Sequence, residues 1–250
     1  MPSLGLKNNL AVSSSGVVRG NDYWVAMDGD ADYINLSSSF NNIFDAKDWS
    51  ISAWIYHIGD DTAVTSGLIF STGSIVSGNT FRFKIQNDKL NFYFGTSGTV
   101  NVDYINGTAS SALNDYTWYH VGLTHDDSAE TIKIYVNGSV TDTFTSKNVP
   151  GVVHDTNARI GSLAESGTSG ELYGRIANVA IFGDLVTSGE MSNLASVHSY
   201  DATSIGNCVG WWRMGAGTEA GSGTTIYDMS ALNNHGTLIG DAAIQKGTIE

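Results

Sequence analysis

Apolar and polar residues alternate along most of the chain, the period of two that belongs to β-strands with one buried face. In "DWSISAWIYH" (48–57) Trp49, Ile51, Ala53 and Ile55 fall on one face, and Ser50, Ser52, Trp54 and Tyr56 on the other. "FRFKIQ" (81–86) turns Phe81, Phe83 and Ile85 inward, and "KLNFYFG" (89–95) repeats the pattern with Leu90, Phe92 and Phe94. Asn87-Asp88 between them predicts a two-residue hairpin turn. A second hairpin is predicted over 131–144, where Ile132, Ile134 and Val136 lead to Asn137-Gly138. That dipeptide suits a type I′ turn because both central positions need positive φ. Further strands are expected at 23–28, 33–37, 118–124, 158–162, 172–182, 208–214 and 236–239.

The period changes once. "TSGEMSNLASVHS" (187–199) sets Thr187 and Glu190 at capping-box spacing, then Met191, Leu194, Ala195 and His198 on one stripe. This predicts one short amphipathic helix near 188–198 that lies against the strands, with His198 a packed or C-terminal histidine. Ser/Gly-rich stretches at 13–20, 71–79, 95–99, 107–112, 165–170 and 215–224 read as loops. The whole pattern predicts an all-β, two-sheet antiparallel jelly-roll sandwich. It is one domain over 22–250, with 1–21 as an N-terminal arm and 208–242 as its closing strand and turn segment.

"VGWWRMG" (209–215) poses a puzzle within that pattern. Successive strand residues point to opposite faces, so Trp211 and Trp212 cannot share the core. One belongs to the core. The other packs beneath the 215–224 loop or faces outward toward a glycan or a partner, with Trp54 and Tyr56 as further outward aromatics.

Composition narrows the class. Twenty-nine glycines, two prolines and 10% aromatic residues suit many tight turns around a packed interior rather than a disordered chain. A net charge of −13 repels phosphate backbones, which excludes nucleic acid as a natural partner. It equally suits cation binding or simple solubility. A single cysteine, Cys208, excludes an intramolecular disulfide framework and sits where a buried thiol is expected. No apolar run approaches membrane-spanning length, and the N-terminus does not read as a secretory signal. Asn35, Asn106 and Asn137 are then read as turn residues rather than glycosylation acceptors.

Several segments together resemble the laminin-G-like, pentraxin-like branch of the concanavalin-A-like lectin/glucanase fold. "MDGDADYINLSS" (27–38) is similar to the opening strand pair of that family, and "DWSISAWIY" to its tryptophan-bearing strand. "WYHVGLTHDDSAETIKIYVNG" (118–138) is similar to its characteristic hairpin. "ARIGS" (158–162) and "GELYGRIANVAIFGDLVTSGEMSNL" (170–194) resemble its closing strands and terminal helix. Residues 209–242 resemble a segment found beside such domains in marine bacteriophage virion proteins. The resemblance implies a non-catalytic virion protein, decorating a capsid or tail, folded in the host cytoplasm. Its expected partners are neighbouring virion proteins or other copies of itself, and host-surface glycans; no membrane is expected. The alternative is a carbohydrate-binding lectin module outside any virus particle, with or without Ca²⁺.

Catalysis and metal binding can be weighed from the residues. Glycosidases of this fold need two carboxylates flanking the scissile bond, in a Glu-x-Asp-x-x-Glu pattern. None of the six glutamates (130, 165, 171, 190, 219 and 250) has such a partner, so no enzyme is expected. Asp28, Asp30 and Asp32 at two-residue spacing could converge on a hard cation, and the resemblance implies a structural Ca²⁺ near this turn. A solvated turn with Asx hydrogen bonds is the competing reading. Asp126, Asp127 and Asp228 are weaker candidates. His120 and His125, five apart on one strand, point to opposite faces and share no metal. His120 is expected to satisfy a hydrogen bond in the core.

Overall fold

The structure is a computed structural model that describes residues 22–38, 40, 43–59, 66–74, 79–96, 104–149, 157–164, 170–196, 200–214, 224–247 and 249. The expected arm at 1–21, Glu165, His198 and nearly all of the 215–224 loop lie outside the described residues.

Two antiparallel sheets face one another. The strands are β1 (Asp22–Asp28), β2 (Tyr33–Leu36), β3 (Trp49–His57), β4 (Ser66–Ser74), β5 (Asn79–Gln86), β6 (Lys89–Thr96), β7 (Tyr104–Thr108) and β8 (Thr117–Asp126). They continue as β9 (Thr131–Val136), β10 (Ser139–Phe144), β11 (Arg159–Ile160), β12 (Tyr173–Phe182), β13 (Cys208–Trp212), β14 (Thr225–Ile226), β15 (Gly236–Ile239) and β16 (Ala243–Gly247). The first sheet runs β10-β9-β8-β3-β12-β1-β16, and the second β14-β15-β2-β11-β4-β5-β6-β7. β12 is long enough to carry two neighbours on one side: β1 pairs with Tyr173–Ile176 and β13 with Val179–Phe182. The described residues thus form an all-β sandwich with one α-helix, as the alternation predicts.

The alternating positions meet in the space between the sheets. Trp49, Ile51, Ala53 and Ile55 of β3 are buried against Phe81, Phe83, Phe92 and Phe94 of β5 and β6. Phe44 stacks on Phe81 with ring centroids 4.3 Å apart, and Phe81 on Phe94 at 4.7 Å. Aromatic pairs at this spacing add to the stabilisation from area alone. Both hairpin turns form as read. Asn87 and Asp88 take φ of 50° and 59°, and Asn137 and Gly138 49° and 77°.

Helix α1 (Ser188–Ser196) starts on the expected capping box: Thr187 Oγ1 accepts the Glu190 amide, and the Glu190 carboxylate accepts the Thr187 amide. Met191 and Leu194 turn its apolar stripe onto the outer face of the first sheet. Met191 fits there because β8 offers Gly122, where a Cβ would sit 2.7 Å from its sulfur. β8 is therefore buried on both faces.

Four strands, β4, β7, β14 and β16, are additional to those expected from the sequence. In β4 Leu68, Ile69 and Phe70 are all buried, and a register shift between Leu68 and Phe70 breaks the alternation. The stretch from 71 to 74, expected as loop, continues the strand. β16 is largely exposed and polar, so no stripe marks it.

Candidate functional site

The puzzle of the adjacent indoles resolves inside the protein. Trp212 enters the main core, where it meets Phe40 edge-on at 5.8 Å and donates from Nε1 to the Asn234 carbonyl at 3.0 Å. Trp211 points to the other face of β13 and joins Tyr135, Phe182, Met191 and Leu194 beneath α1. Their exposures are 6% for Trp211 and 0% for Trp212, so neither offers a ring face to a ligand in this structure. The cover over Trp211 includes the helix, a contact set by tertiary packing that local sequence could not reveal. Trp54 is half-buried on the same outer face and donates from Nε1 to the Leu194 carbonyl at the end of α1. Tyr56 is half-buried between the Arg175 guanidinium, 4.6 Å from its ring centre, and Trp118.

The acidic turn behaves differently from its spacing. Asp32 is buried. One of its oxygens accepts the Asp28 amide at 3.1 Å and the other the Ala242 amide at 2.8 Å. Asp28 in turn accepts the Asp30 amide at 2.9 Å, an Asx turn. The carboxylate that joins Asp28 and Asp32 is Asp241, not Asp30. These three each place one oxygen within 4.8 Å of the others. Asp241 arrives from the turn before β16, far along the chain, so no local motif could announce it. Gly240 makes the approach possible: its φ is 84°, and a side chain there would collide with Asp32.

Glu171, just before β12, completes the neighbourhood. It is 6% exposed and accepts the Ala31 amide, yet its Oε1 has no hydrogen-bond partner among the described residues. Burial pushes its pKa above the usual carboxylate range, and the charges of Asp30, Asp32 and Asp28 push it further. Asp32 is raised for the same leading reason, burial, with Asp28 and Asp241 adding to it and the two amides opposing. A buried acceptor without a donor beside three converging carboxylates is an all-oxygen set suited to a hard divalent cation.

The cluster borders a depression of about 320 Å³ at the end of the first sheet where β1, β12 and β16 lie side by side. Tyr173, Arg175 and Gln245 form its other polar walls. Arg175 is fixed by stacking on Trp24 at 5.3 Å and on Tyr56, which leaves a cation and a phenol beside the acids. No Glu-x-Asp-x-x-Glu run occurs in the sequence, but the fold brings carboxylates together from separate turns. Both Asp32 oxygens accept backbone amides, so Asp32 builds the turn, and each oxygen keeps a further lone pair for a cation.

The remaining candidates are structural. Asp228, 4% exposed, accepts the amides of Trp211, Ser230 and Asn234 and the Ser230 hydroxyl. Asp126 is half-buried and caps its own turn through Ser128 and Ala129, and the Asp127 amide is held by Asp48. His125 links two loops through the Lys47 and Lys147 carbonyls. His120 departs from expectation. Neither ring nitrogen has a hydrogen-bond partner among the described residues, and burial lowers its pKa to about 3. It packs edge-on against Trp54 instead. The Cys208 thiol is half-buried, and its pKa is pushed up to about 12 by burial, an unreactive state.

Residues 28–192 match a family model described as the concanavalin A-like lectin/glucanases superfamily. No curated protein sequence matches the chain. Among solved structures, a Bacteroides ovatus protein proposed to bind carbohydrate superposes with a TM-score of 0.69 at 18% identity, over 92% of this chain and 61% of that one. The chain thus spans about 61% of that protein's length. The CBM40 of a Ruminococcus gnavus IT-sialidase, bound to α2,3-sialyllactose, gives 0.55 at 14% identity over 70% of this chain and 98% of the module. The heptameric SAP-like pentraxin of Limulus polyphemus gives 0.52 at 14% identity, over 70% of this chain and 82% of that one. At these identities the likeness is one of fold.

Proposed function

We propose a function on this premise: the chain belongs to the concanavalin A-like lectin/glucanases superfamily. It is a non-catalytic, lectin-like module that binds a glycan in the depression walled by Tyr173, Arg175 and Gln245. A structural Ca²⁺ held by Asp28, Asp32 and Asp241, with the Glu171 carboxylate nearby, supports the rim. The observation that carries this reading is the meeting of carboxylates, one guanidinium and one phenol around a single open depression. Such a wall offers hydrogen-bond donors and acceptors to sugar hydroxyls and a ring edge to their apolar faces. The bound cation supplies charge neutralisation among the acids.

The test is a glycan array probed with the full chain in calcium and again in chelator. Binding that falls on Arg175→Ala and on Tyr173→Ala supports the assignment. A blank array in both conditions removes it, and release of reducing sugar from a bound glycan would overturn the non-catalytic part.

The likeness of residues 209–242 to virion proteins favours a second reading that is compatible with the first. In it the chain is a structural component of a virus particle, on capsid or tail, and the glycan site faces the host. Co-purification with particles in fixed stoichiometry would support it, and recovery only as free protein would count against it.

A further inference from the structure

A second cluster of metal-binding groups lies outside the depression. His57 ends β3 in the first sheet, Asp88 sits in the β5–β6 turn of the second, and Asp115 precedes β8. His57 Nε2 is 2.9 Å from Asp88 Oδ1 and 3.6 Å from Asp115 Oδ1. One ligand atom from each residue lies within 4.8 Å of the other two. Two groups bound to one zinc ion at 2.0–2.1 Å in a tetrahedron are about 3.3 Å apart, and the two measured separations bracket that value.

Each ligand is held by its own element. His57 is fixed in the sheet by its pairing with Thr117 on one side and Gly174 on the other. The backbone of Asp88 is set by the left-handed turn, with φ of 59°, and its carbonyl accepts the Leu113 amide at 2.7 Å. The Asp115 carbonyl accepts the Thr117 hydroxyl at 3.0 Å. Its carboxyl occupies space that Gly59 leaves open, since a Cβ at residue 59 would fall 2.9–3.0 Å from it. The imidazole is 4% exposed, while the two carboxylate side chains are 38% and 55% exposed. The arrangement therefore has a buried nitrogen at its base and open positions toward solvent.

We propose that His57, Asp88 and Asp115 form a binding site for a borderline divalent metal ion of the zinc class, with solvent completing the coordination. The mixed nitrogen and oxygen set separates this site from the all-oxygen cluster of Asp28, Asp32 and Asp241, because imidazole favours first-row transition ions over calcium. The metal ties the two sheets together at one end of the sandwich. Ile58, the next residue after His57, lines the depression, so the tie lies beside its wall.

The test is titration of Zn²⁺ into the full chain saturated with Ca²⁺ at pH 7.5, followed by calorimetry and by thermal melting. A single saturable site and a rise in melting temperature are expected. His57→Gln and Asp115→Asn should each weaken zinc binding at least tenfold while leaving the calcium-dependent shift in place. Asp115→Asn changes an exposed side chain and keeps the test informative if His57→Gln fails to fold. Co²⁺ should give a visible tetrahedral absorption in the parent protein that Asp115→Asn removes. Absence of saturable zinc binding, or equal binding by Asp115→Asn, overturns the proposal. Either result would leave His57 as a hydrogen-bond partner of Asp88 alone.

Discussion

The Asp32 carboxylate accepts the Ala242 amide at 2.8 Å, joining the turn after the first strand to the start of the last across 210 positions of sequence. The same carboxylate accepts the Asp28 amide. Asp32→Ala leaves two donors without partners and should destabilise the protein by about 1–3 kcal/mol. The urea midpoint measures this, and an unchanged midpoint would mean that the turn holds without its carboxylate.

Calcium should raise the melting temperature through Asp28, Asp32 and Asp241. A ligand at one hundred times its Kd stabilises the native state by about 2.7 kcal/mol. Asp241→Asn should remove most of the shift. Asp30→Asn should leave it intact, because Asp30 stands outside the converging set. Equal losses in the two variants would point to a general charge effect.

Acidity should act in opposite directions with and without the cation. The carboxyls of Asp32 and Glu171 are raised above their ordinary values of 3.8 and 4.5, so folding favours their protonated forms. In chelator, their contribution to stability is complete below those ordinary values and is lost as the pH rises through the raised ones. Calcium binding needs ionised Asp32 and therefore weakens as the pH falls through the same range. Melting profiles against pH in chelator should therefore be flatter for Glu171→Gln than for the parent chain. Parallel profiles would remove Glu171 from the account.

Asp228 receives four hydrogen bonds in a buried turn. Asp228→Ala should cost about 3 kcal/mol or more, since several buried donors lose their acceptor together. Chemical denaturation checks this, and a loss well under 1 kcal/mol would contradict the burial of that turn.

Met191→Ala should lower stability by about 2–4 kcal/mol and loosen α1 from the sheet. Because Trp211 lies under the same helix, its fluorescence should become more sensitive to acrylamide. Quenching that is unchanged would mean that other groups shield this indole.

The alternation of residues 49–55, 81–94 and 132–136 made the two sheets legible, because each strand there has one buried face and one wetter one. β4 was hidden by burial on consecutive positions, and β16 by the lack of any apolar stripe. For the site, Asp28 and Asp32 could be read from their spacing, whereas Asp241 and Glu171 could not. Their proximity comes from the pairing of β16 with β1 and of β1 with β12, which no short window contains. The aromatics show the same limit. Period two set Trp54 on the outer face and parted Trp211 from Trp212 without saying which faces out; the packing chose Trp211, and the docking of α1 covers it.

The pairing of β1 with β16, Asp22 opposite Gly247, also sets a timetable for folding. During synthesis the first of these strands is made long before its outer neighbour emerges from the ribosome. Until then one row of its amides and carbonyls stays open to any other extended chain. Slow closure of such a distant pair is expected of a high-contact-order topology. Crowded nascent copies would meet one another's open strand edge at this seam.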